Sequence, residues 1–210
     1  NNEKSIILLT GIPGAGKTLA GLNLACERRM KDKNEEEHAV FLTGNVPLVS
    51  VLSESLAIDA SKNNKNKTKS EALREVKSFI QNVHHFRDEC LENNSPPTER
   101  IVIFDEAQRA YDLDKTKSFM KRNKNKPDFN FSEPEFLISS MDRHTGWTTI
   151  VCLVGGGQEI NKGEGGMEEW LKALRDNFPD RKVWISNALD SKYYVPSFTL
   201  DLLQGRIFKR

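Results

Sequence analysis

An eight-residue loop near the start of the chain constrains the fold more than any other feature of the sequence. It runs from Gly11 to Thr18 as Gly-Ile-Pro-Gly-Ala-Gly-Lys-Thr, directly after the apolar run Ser5–Thr10. Its glycines let backbone N–H groups turn inward around an anion, and a following helix would point its positive dipole end at the same anion. An apolar strand, this loop and a helix, in that order, predict a phosphate-binding loop that holds a nucleotide.

The helix expected after the loop spans residues 17–30 and places Leu19, Leu22 and Cys26 on one apolar face. Within the loop, Lys17 is expected to neutralise the β- and γ-phosphates of ATP, and Thr18 to bind Mg²⁺ through its hydroxyl. The residues predicted to contact the nucleotide are Gly11, Pro13, Gly14, Ala15, Gly16, Lys17, Thr18 and Leu19.

Further apolar runs alternate with helical patterns along the rest of the chain. The strand candidates cover residues 5–10, 38–43, 100–105, 149–154 and 181–186, and the helical patterns cover residues 17–30, 70–91, 132–141 and 167–178. Because alternating strands and helices build βαβ units, the pattern predicts an α/β fold with a mainly parallel central sheet between helical layers. Ligands of such sheets bind at the carboxyl ends of the strands.

Two adjacent carboxylates, Asp105 and Glu106, end the apolar run over residues 100–105. Burying two neighbouring charges is costly unless a cation or a substrate uses them. Asp105 is therefore predicted to take part in binding Mg²⁺, and Glu106 to act as the general base that activates water. An adjacent glutamate is typical of phosphate-loop ATPases in which another strand separates the loop strand from the acidic strand.

Length and composition exclude several classes of protein. The chain has 210 residues and a formal net charge of +1, and its apolar runs are far shorter than the roughly 20 residues that a membrane helix needs. Three cysteines without paired spacing argue against a disulfide framework or a zinc site and favour a reducing cytoplasm. We therefore expect one cytoplasmic domain over residues 1–210 with no membrane partner.

Two lysine-rich segments, residues 61–70 and 115–128, interrupt the alternation of strands and helices. Their composition favours solvated polar loops, with contact to a phosphate backbone as the alternative interpretation. His84 and His85 have no accompanying pattern of metal ligands, so a metal site is not expected there. Trp170 falls on the apolar face of its helix and is expected in the core.

The four residues Asp105-Glu-Ala-Gln108 resemble motif II of superfamily 1 helicases and translocases. Together with Thr43–Leu52 and Cys152–Trp170, they resemble the Schlafen group 3-like DNA/RNA helicase domain family, in the same order and over about residues 5–190. The resemblance implies a RecA-like P-loop NTPase fold and DNA or RNA as a partner. Asn45 and Pro47 follow the second predicted strand, where helicases carry a segment that contacts nucleic acid. The two residues are expected to shape this loop, with contact to nucleic acid as the alternative role.

A third motif of superfamily 1 motors has the form Gly-Asp-x-x-Gln, and its glutamine senses the γ-phosphate. The corresponding segment here, Gly155-Gly-Gly-Gln158, lacks the aspartate and is one residue shorter. By resemblance, Gln158 joins Lys17 and Glu106 as a catalytic residue. Gln108 and Arg109 either couple the nucleotide to a neighbouring lobe or have a local structural role.

The leading hypothesis is the first RecA-like lobe of an ATP-hydrolysing helicase or translocase. Too few residues follow the last predicted strand for a second RecA-like lobe, so the chain is expected to be part of a larger motor. Two alternatives stay open at this point. One is an assembly or packaging ATPase similar to zonula-occludens-toxin-like proteins, and the other is a nucleotide-gated switch with little turnover.

Overall fold

The computed structural model describes residues 2–31, 38–64, 66–155, 162–186, 203 and 207–209. Within them, seven strands form one sheet: β1 (Lys4–Gly11), β2 (His38–Thr43), β3 (Ile80–Asn82), β4 (Glu99–Phe104), β5 (Thr148–Gly155), β6 (Lys182–Ile185) and β7 (Ile207–Lys209). The helices are α1 (Lys17–Lys31), α2 (Val46–Asn63), α3 (Lys69–Lys77), α4 (Val83–Glu92), α5 (Leu113–Asn123), α6 (Glu133–Asp142) and α7 (Gly166–Asp176). A 3₁₀ turn covers Ala107–Arg109.

All neighbouring strands pair in parallel, in the order β3-β2-β4-β5-β1-β6-β7. The predicted α/β architecture with a parallel sheet is therefore confirmed. β5 lies between β1, which leads into the phosphate loop, and β4, which leads into the acidic pair. This is the strand order that the adjacent glutamate predicted.

Alternate residues of the strands point to two separate core layers, as the period of a buried strand requires. On one face, the layer contains Phe86 of α4, Leu137 of α6 and Trp170 of α7. On the other face, it contains Leu22 of α1 and Val76 of α3, with α2 packed at its margin. The sheet thus lies between two helical layers, and its carboxyl edge carries the loops that follow β1, β2 and β4.

The predicted helix over residues 70–91 is wrong, because the chain forms α3, β3 and α4 there. Ser78 ends α3, with its backbone N–H and hydroxyl bonded to the carbonyl of Glu75, and Asn82 begins α4 by accepting from the backbone N–H of His84. Between them Ile80 pairs with Phe41 of β2. The apolar residues at helical spacing therefore belong to three elements, an edge strand of the sheet and one helix on each of its faces.

The predicted loop over residues 115–128 is also wrong in its first part, since α5 occupies Leu113–Asn123 after an aspartate cap at Asp112. Leu19, expected on the buried face of α1, is 60% exposed. The predicted loop at 61–70 holds only between the end of α2 and the start of α3. Helix α2 and the short strands β3 and β7 were not predicted.

No helix in the described part of the chain is long and apolar enough to cross a membrane. The three cysteines, Cys26, Cys90 and Cys152, form no disulfide.

Candidate nucleotide site

The phosphate loop obtains its shape from two glycines with left-handed backbone. Gly14 has φ +80° and Gly16 has φ +83°, and a Cβ added to either would meet no atom within 4 Å. Glycine is therefore needed for the backbone angle rather than for space. The loop is largely exposed and leads straight into α1 at the carboxyl edge of the sheet.

Lys17 folds back over the loop that precedes it. Its Nζ donates to the carbonyl oxygens of Gly11, at 2.6 Å, and Ile12, at 3.0 Å. The ammonium group thus lies over the concave side of the loop, where a phosphate would be attracted to it.

The phosphate loop meets the acidic pair through one hydrogen bond. Thr18 Oγ1 donates to Asp105 Oδ1 at 3.0 Å, although the two residues lie 87 positions apart in the sequence. Asp105 is only 8% exposed. Burial raises the pKa of its carboxyl group, a shift that the hydrogen bond from Thr18 opposes and the negative charge of Glu106 reinforces. A cation at this oxygen pair would offset the cost of burying the charge.

Glu106 sits in the turn after β4 with left-handed backbone angles, φ 53° and ψ 44°. This conformation is unusual for a residue with a long side chain and is typical of strained functional turns. The Nε2 of Gln108 donates to the Glu106 carboxylate, while its Oε1 accepts from the backbone N–H of Gly155 at 3.1 Å. Gln108, which is buried, therefore ties this turn to the end of β5. The turn that carries Asp105 and Glu106 is called the acidic turn below.

Two groups of contacts hold the rest of this turn. The indole Nε1 of Trp170 donates to the carbonyl of Ala107 at 2.8 Å, and its ring lies 5.4 Å from that of Phe104. On the other side, the backbone N–H of Gly165 donates to the carbonyl of Ala110 at 2.8 Å. Trp170 is fully buried, so its predicted place in the core is confirmed, and it also supports the site.

A buried ion pair fixes the segment that follows. Glu133 accepts from the backbone N–H of Tyr111 at 2.9 Å and from Arg87 Nη1 at 3.3 Å. Arg87 and Glu133 are 1% and 3% exposed. Arg87 also donates to His84 Nδ1 at 3.1 Å, and burial lowers the pKa of that histidine. The ring of His84 belongs to this cluster through its bond with Arg87.

A cavity of about 480 Å³ opens between the acidic turn and this cluster. Its polar wall includes Asn45, His84, Arg109 and Glu164, and its apolar floor includes Trp170. Asn45 caps α2 by accepting from the backbone N–H of Leu48 at 3.2 Å, so the loop-shaping interpretation describes this contact. The same residue also lines the cavity, within reach of a ligand.

The structure brings Lys17, Thr18, Asp105 and Glu106 to one edge of the sheet, as the motifs predicted. Gln158 lies outside the described residues. The bridge made by Gln108 fits the local structural role that was one of its two predicted alternatives. The buried pair of Arg87 and Glu133 was not predicted. The only sequence signal for the pair was the capping box at Ser132, which places Glu133 in the first turn of α6.

The sequence matches the family described as "Schlafen group 3, DNA/RNA helicase domain" over residues 4–195. Among solved structures, it matches the helicase domain of Hef from Pyrococcus furiosus with a TM-score of 0.47 and 15% identity, covering 92% of this chain and 36% of that one. The chain thus spans about a third of that structure's length. Curated protein sequences give no match. Since the family match covers most of the residues, the chain belongs to the Schlafen group 3 DNA/RNA helicase domain family.

Proposed function

We propose that this chain is an ATP-hydrolysing lobe of a helicase or translocase that acts on DNA or RNA. The observation that carries the proposal is the 3.0 Å hydrogen bond between Thr18 and Asp105, which joins the phosphate loop to the acidic pair. Glu106 follows directly in the sequence and is held by Gln108. Membership in a helicase-domain family supports the same function.

The oxygen pair of Thr18 and Asp105 fits Mg²⁺, which prefers a few protein oxygens completed by phosphates and water. No group of three or more histidine, cysteine or acidic side chains within the described ranges is arranged to hold a metal by itself. The hydroxyl and the buried carboxylate would hold the ion on the phosphate side of β4. When bound, the ion supplies neutralising charge at the phosphate oxygens.

In this proposal, each residue of the site has a separate role in hydrolysis. The loop N–H groups and Lys17 bind and orient the β- and γ-phosphates. Glu106 orients a water molecule and accepts its proton as the water oxygen bonds to the γ-phosphorus. The bond from that phosphorus to the bridging oxygen breaks, and ADP leaves with the electron pair. Gln158 is proposed to sense the γ-phosphate.

We further propose that an arginine from a second RecA-like lobe completes the site. Such an arginine contributes about 10³–10⁵ in rate at related phosphoryl-transfer sites. Residues 1–210 alone should therefore bind ATP with Mg²⁺ and hydrolyse it slowly. Fast hydrolysis by this chain alone would contradict the proposal of a second lobe.

The experiment is an ATPase assay of the full-length protein with and without single-stranded DNA and RNA, on the wild type, Lys17→Ala and Glu106→Gln. Loss of a general base removes about 10²–10⁴ of the rate, so we expect Glu106→Gln to retain ATP binding and lose hydrolysis. Lys17→Ala should weaken binding as well. Lys172→Ala and Glu168→Gln, both at exposed positions of α7, are the matched controls.

The outcomes separate the alternatives. Stimulation by nucleic acid that both site variants lose supports the motor. Turnover that no nucleic acid changes would instead favour an assembly ATPase. Tight ATP binding without turnover, even in the full-length protein, would favour a nucleotide-gated switch.

A further inference from the structure

The two lysine-rich segments, which look alike in the sequence, differ in how the fold neutralises their charges. In the first, Lys67 pairs with Glu75, and Lys69 Nζ lies 2.6 Å from Glu54 Oε2. Both acids belong to the helices that flank the segment. Two of the three lysines that the structure describes in this segment are thus paired with acids of its own neighbours.

The second segment keeps most of its charge unbalanced. Only Lys124 pairs with an acid, 2.6 Å from Asp88 Oδ2. Lys117 donates to the neutral Asn130 at 2.9 Å, and Lys115 lies 3.9 Å over the ring of Tyr111. Within the described residues, five cations of this segment form no ion pair with a carboxylate: Lys115, Lys117, Lys121, Arg122 and Lys126.

Helix α5 presents these charges from a fixed position. It begins at Asp112, one residue after Tyr111, which lines the cavity beside Glu106. Its other end is held on α4, where Lys124 pairs with Asp88 and the guanidinium of Arg87 lies 4.5 Å over the ring of Phe119. The helix therefore leads from the mouth of the cavity across α4.

Lys117 and Lys121 are four residues apart and therefore neighbours on one side of α5. The exposed residues of the helix are all polar: Asp114, Lys117, Ser118, Lys121, Arg122 and Asn123. A helix that binds a membrane surface needs an apolar face to enter the lipid. α5 buries Met120 and packs Phe119 beneath Arg87, so it offers charge without such a face.

At the cavity end of α5, two aromatic rings lie close together, Tyr111 and His84, with centroids 6.2 Å apart. Aromatic rings beside a row of cations are the features that bind single-stranded nucleic acid, since bases stack while cations contact the phosphates. Arg109 also lines the cavity, but its guanidinium lies within 4.0 Å of the carboxylates of Glu106 and Glu164 and is not counted among these cations.

We propose that α5 holds the phosphate backbone of a single strand, with a base at the Tyr111 end. This assignment rests on the proposed function, because it supposes that nucleic acid is the partner of the lobe. Beyond that function, the assignment identifies the surface of the lobe on which the nucleic-acid strand lies. The segment at residues 61–70, where Lys67 and Lys69 are paired with acids, takes no part in holding the strand.

The test compares two triple variants of the whole chain, Lys117→Gln/Lys121→Gln/Arg122→Gln and the matched control Lys62→Gln/Lys67→Gln/Lys69→Gln. Each removes three positive charges. Binding of fluorescently labelled oligo-dT and oligo-U, each of about 20 nucleotides, is followed by anisotropy over roughly 50–200 mM salt. Thermal melting checks that both variants are folded. The variant Lys117→Arg/Lys121→Arg keeps the positive charges and changes only the side chains that carry them, so it tests whether charge alone is sufficient for binding.

Each lost phosphate contact lowers the salt slope for a single strand by about 0.7. The α5 variant should therefore bind about 100-fold more weakly near 0.1 M salt, with a slope smaller by about 2. The control variant and the arginine variant should bind as the wild type does. Equal losses in both triple variants, or an unchanged slope in the α5 variant, would overturn the proposal.

Further outcomes distinguish this proposal from the proposed function. If the α5 variant still binds both oligonucleotides, the assignment of α5 fails while the ATPase motor stands. If the wild type hydrolyses ATP but binds neither oligonucleotide, both the α5 surface and the nucleic-acid role fail. Wild-type binding to phosphatidylserine vesicles in place of oligonucleotides would identify a lipid surface and overturn the proposal.

Discussion

Two turns at the carboxyl edge of the sheet carry the candidate catalytic residues, and they are built in different ways. In the phosphate loop, Gly14 and Gly16 supply left-handed backbone with no side chain around them. In the acidic turn, Glu106 adopts a similar backbone with a full side chain, while Gln108 and Trp170 bond to the turn from within the core.

The two turns therefore differ in which residues determine their shape, neighbours in the sequence for one and distant elements for the other. The phosphate loop follows from residues that are consecutive in the sequence, so substitutions far away should leave its shape intact. The acidic turn depends on β5, α6 and α7, and damage to any of them should reach Glu106. The following substitutions test this contrast from the largest expected effect to the smallest.

Removing the buried carboxylate of α6 should have the largest effect. Glu133→Ala leaves Arg87 buried without this partner and leaves the backbone N–H of Tyr111 without its acceptor. Breaking a buried pair costs about 3–5 kcal/mol of unfolding free energy. We expect a cost at the lower end of this range, because Asp88 still lies 3.2 Å from Arg87 and partly compensates its charge. Urea unfolding measures the change.

The exposed pair of Lys182 and Glu3, at 2.6 Å, is the control, and Glu3→Ala should cost less than about 1 kcal/mol. The double variant Arg87→Met/Glu133→Leu should recover part of the stability, because it removes both charges. A cost for Glu133→Ala no larger than that of Glu3→Ala would mean that α6 does not hold the acidic turn.

Trp170→Phe should have the next largest effect. It keeps a ring beside Phe104 but removes the donor to the carbonyl of Ala107. A buried acceptor left without its partner costs about 1–3 kcal/mol. Hydrogen exchange should speed up over residues 105–111 and stay unchanged over residues 11–18. Trp147→Phe, at the other end of β5, is the control, and equal protection in both tryptophan variants would contradict the prediction.

A paired glycine test addresses the backbone that both turns share. Gly16→Ala should destabilise the fold by about 1 kcal/mol, since the left-handed region costs that much for a residue with a Cβ. Glu106→Gly should be more stable than Glu106→Ala by a similar amount. Because both variants lack the carboxylate, the difference between them reports only the cost of the left-handed backbone. Chemical unfolding of the wild type and of the three variants measures both differences. Equal stability of glycine and alanine at position 106 would show that the turn carries no such cost.

The same contrast explains how much of the molecule the sequence predicted. The phosphate loop, the acidic pair and the five longer strands are local patterns, and each was found at its predicted position. Gln108 bonds to Gly155, 47 residues away, and Arg87 to Glu133, 46 residues away. No local pattern encodes such pairs, because only the order of the strands and the packing of α4 on α6 bring them together.

The errors in secondary structure have a similar origin. Ile80 continues the helical spacing of Val76, but it belongs to β3 and pairs with β2. No glycine or proline marks the end of α3 in the sequence. The lysine-rich segment after Asp112 has few apolar residues, so the burial of Met120 and Thr116 that stabilises α5 was not visible. In both places tertiary contacts override a weak local signal.

The smallest expected effect concerns Asp105, where the two turns meet. Burial raises the pKa of this carboxyl group above its value in the unfolded chain. The cost of ionising it in the folded state is therefore absent below the unfolded pKa of about 3.9, grows as the pH rises through the folded pKa, and is complete above it. Asp105→Asn should remove that cost while its amide oxygen still accepts from Thr18.

The Tm of Asp105→Asn should thus exceed that of the wild type at pH 7, and the gap should close as the pH falls toward 4. In a chain of this size, about 1 kcal/mol corresponds to roughly 2–4 °C. Exposed Asp180, at the opposite edge of the sheet, provides the control variant Asp180→Asn. A gap that stays constant with pH would contradict this account of the burial. Since ATP with Mg²⁺ should stabilise only the chain that keeps the carboxylate, adding both should reverse the order of the two melting temperatures.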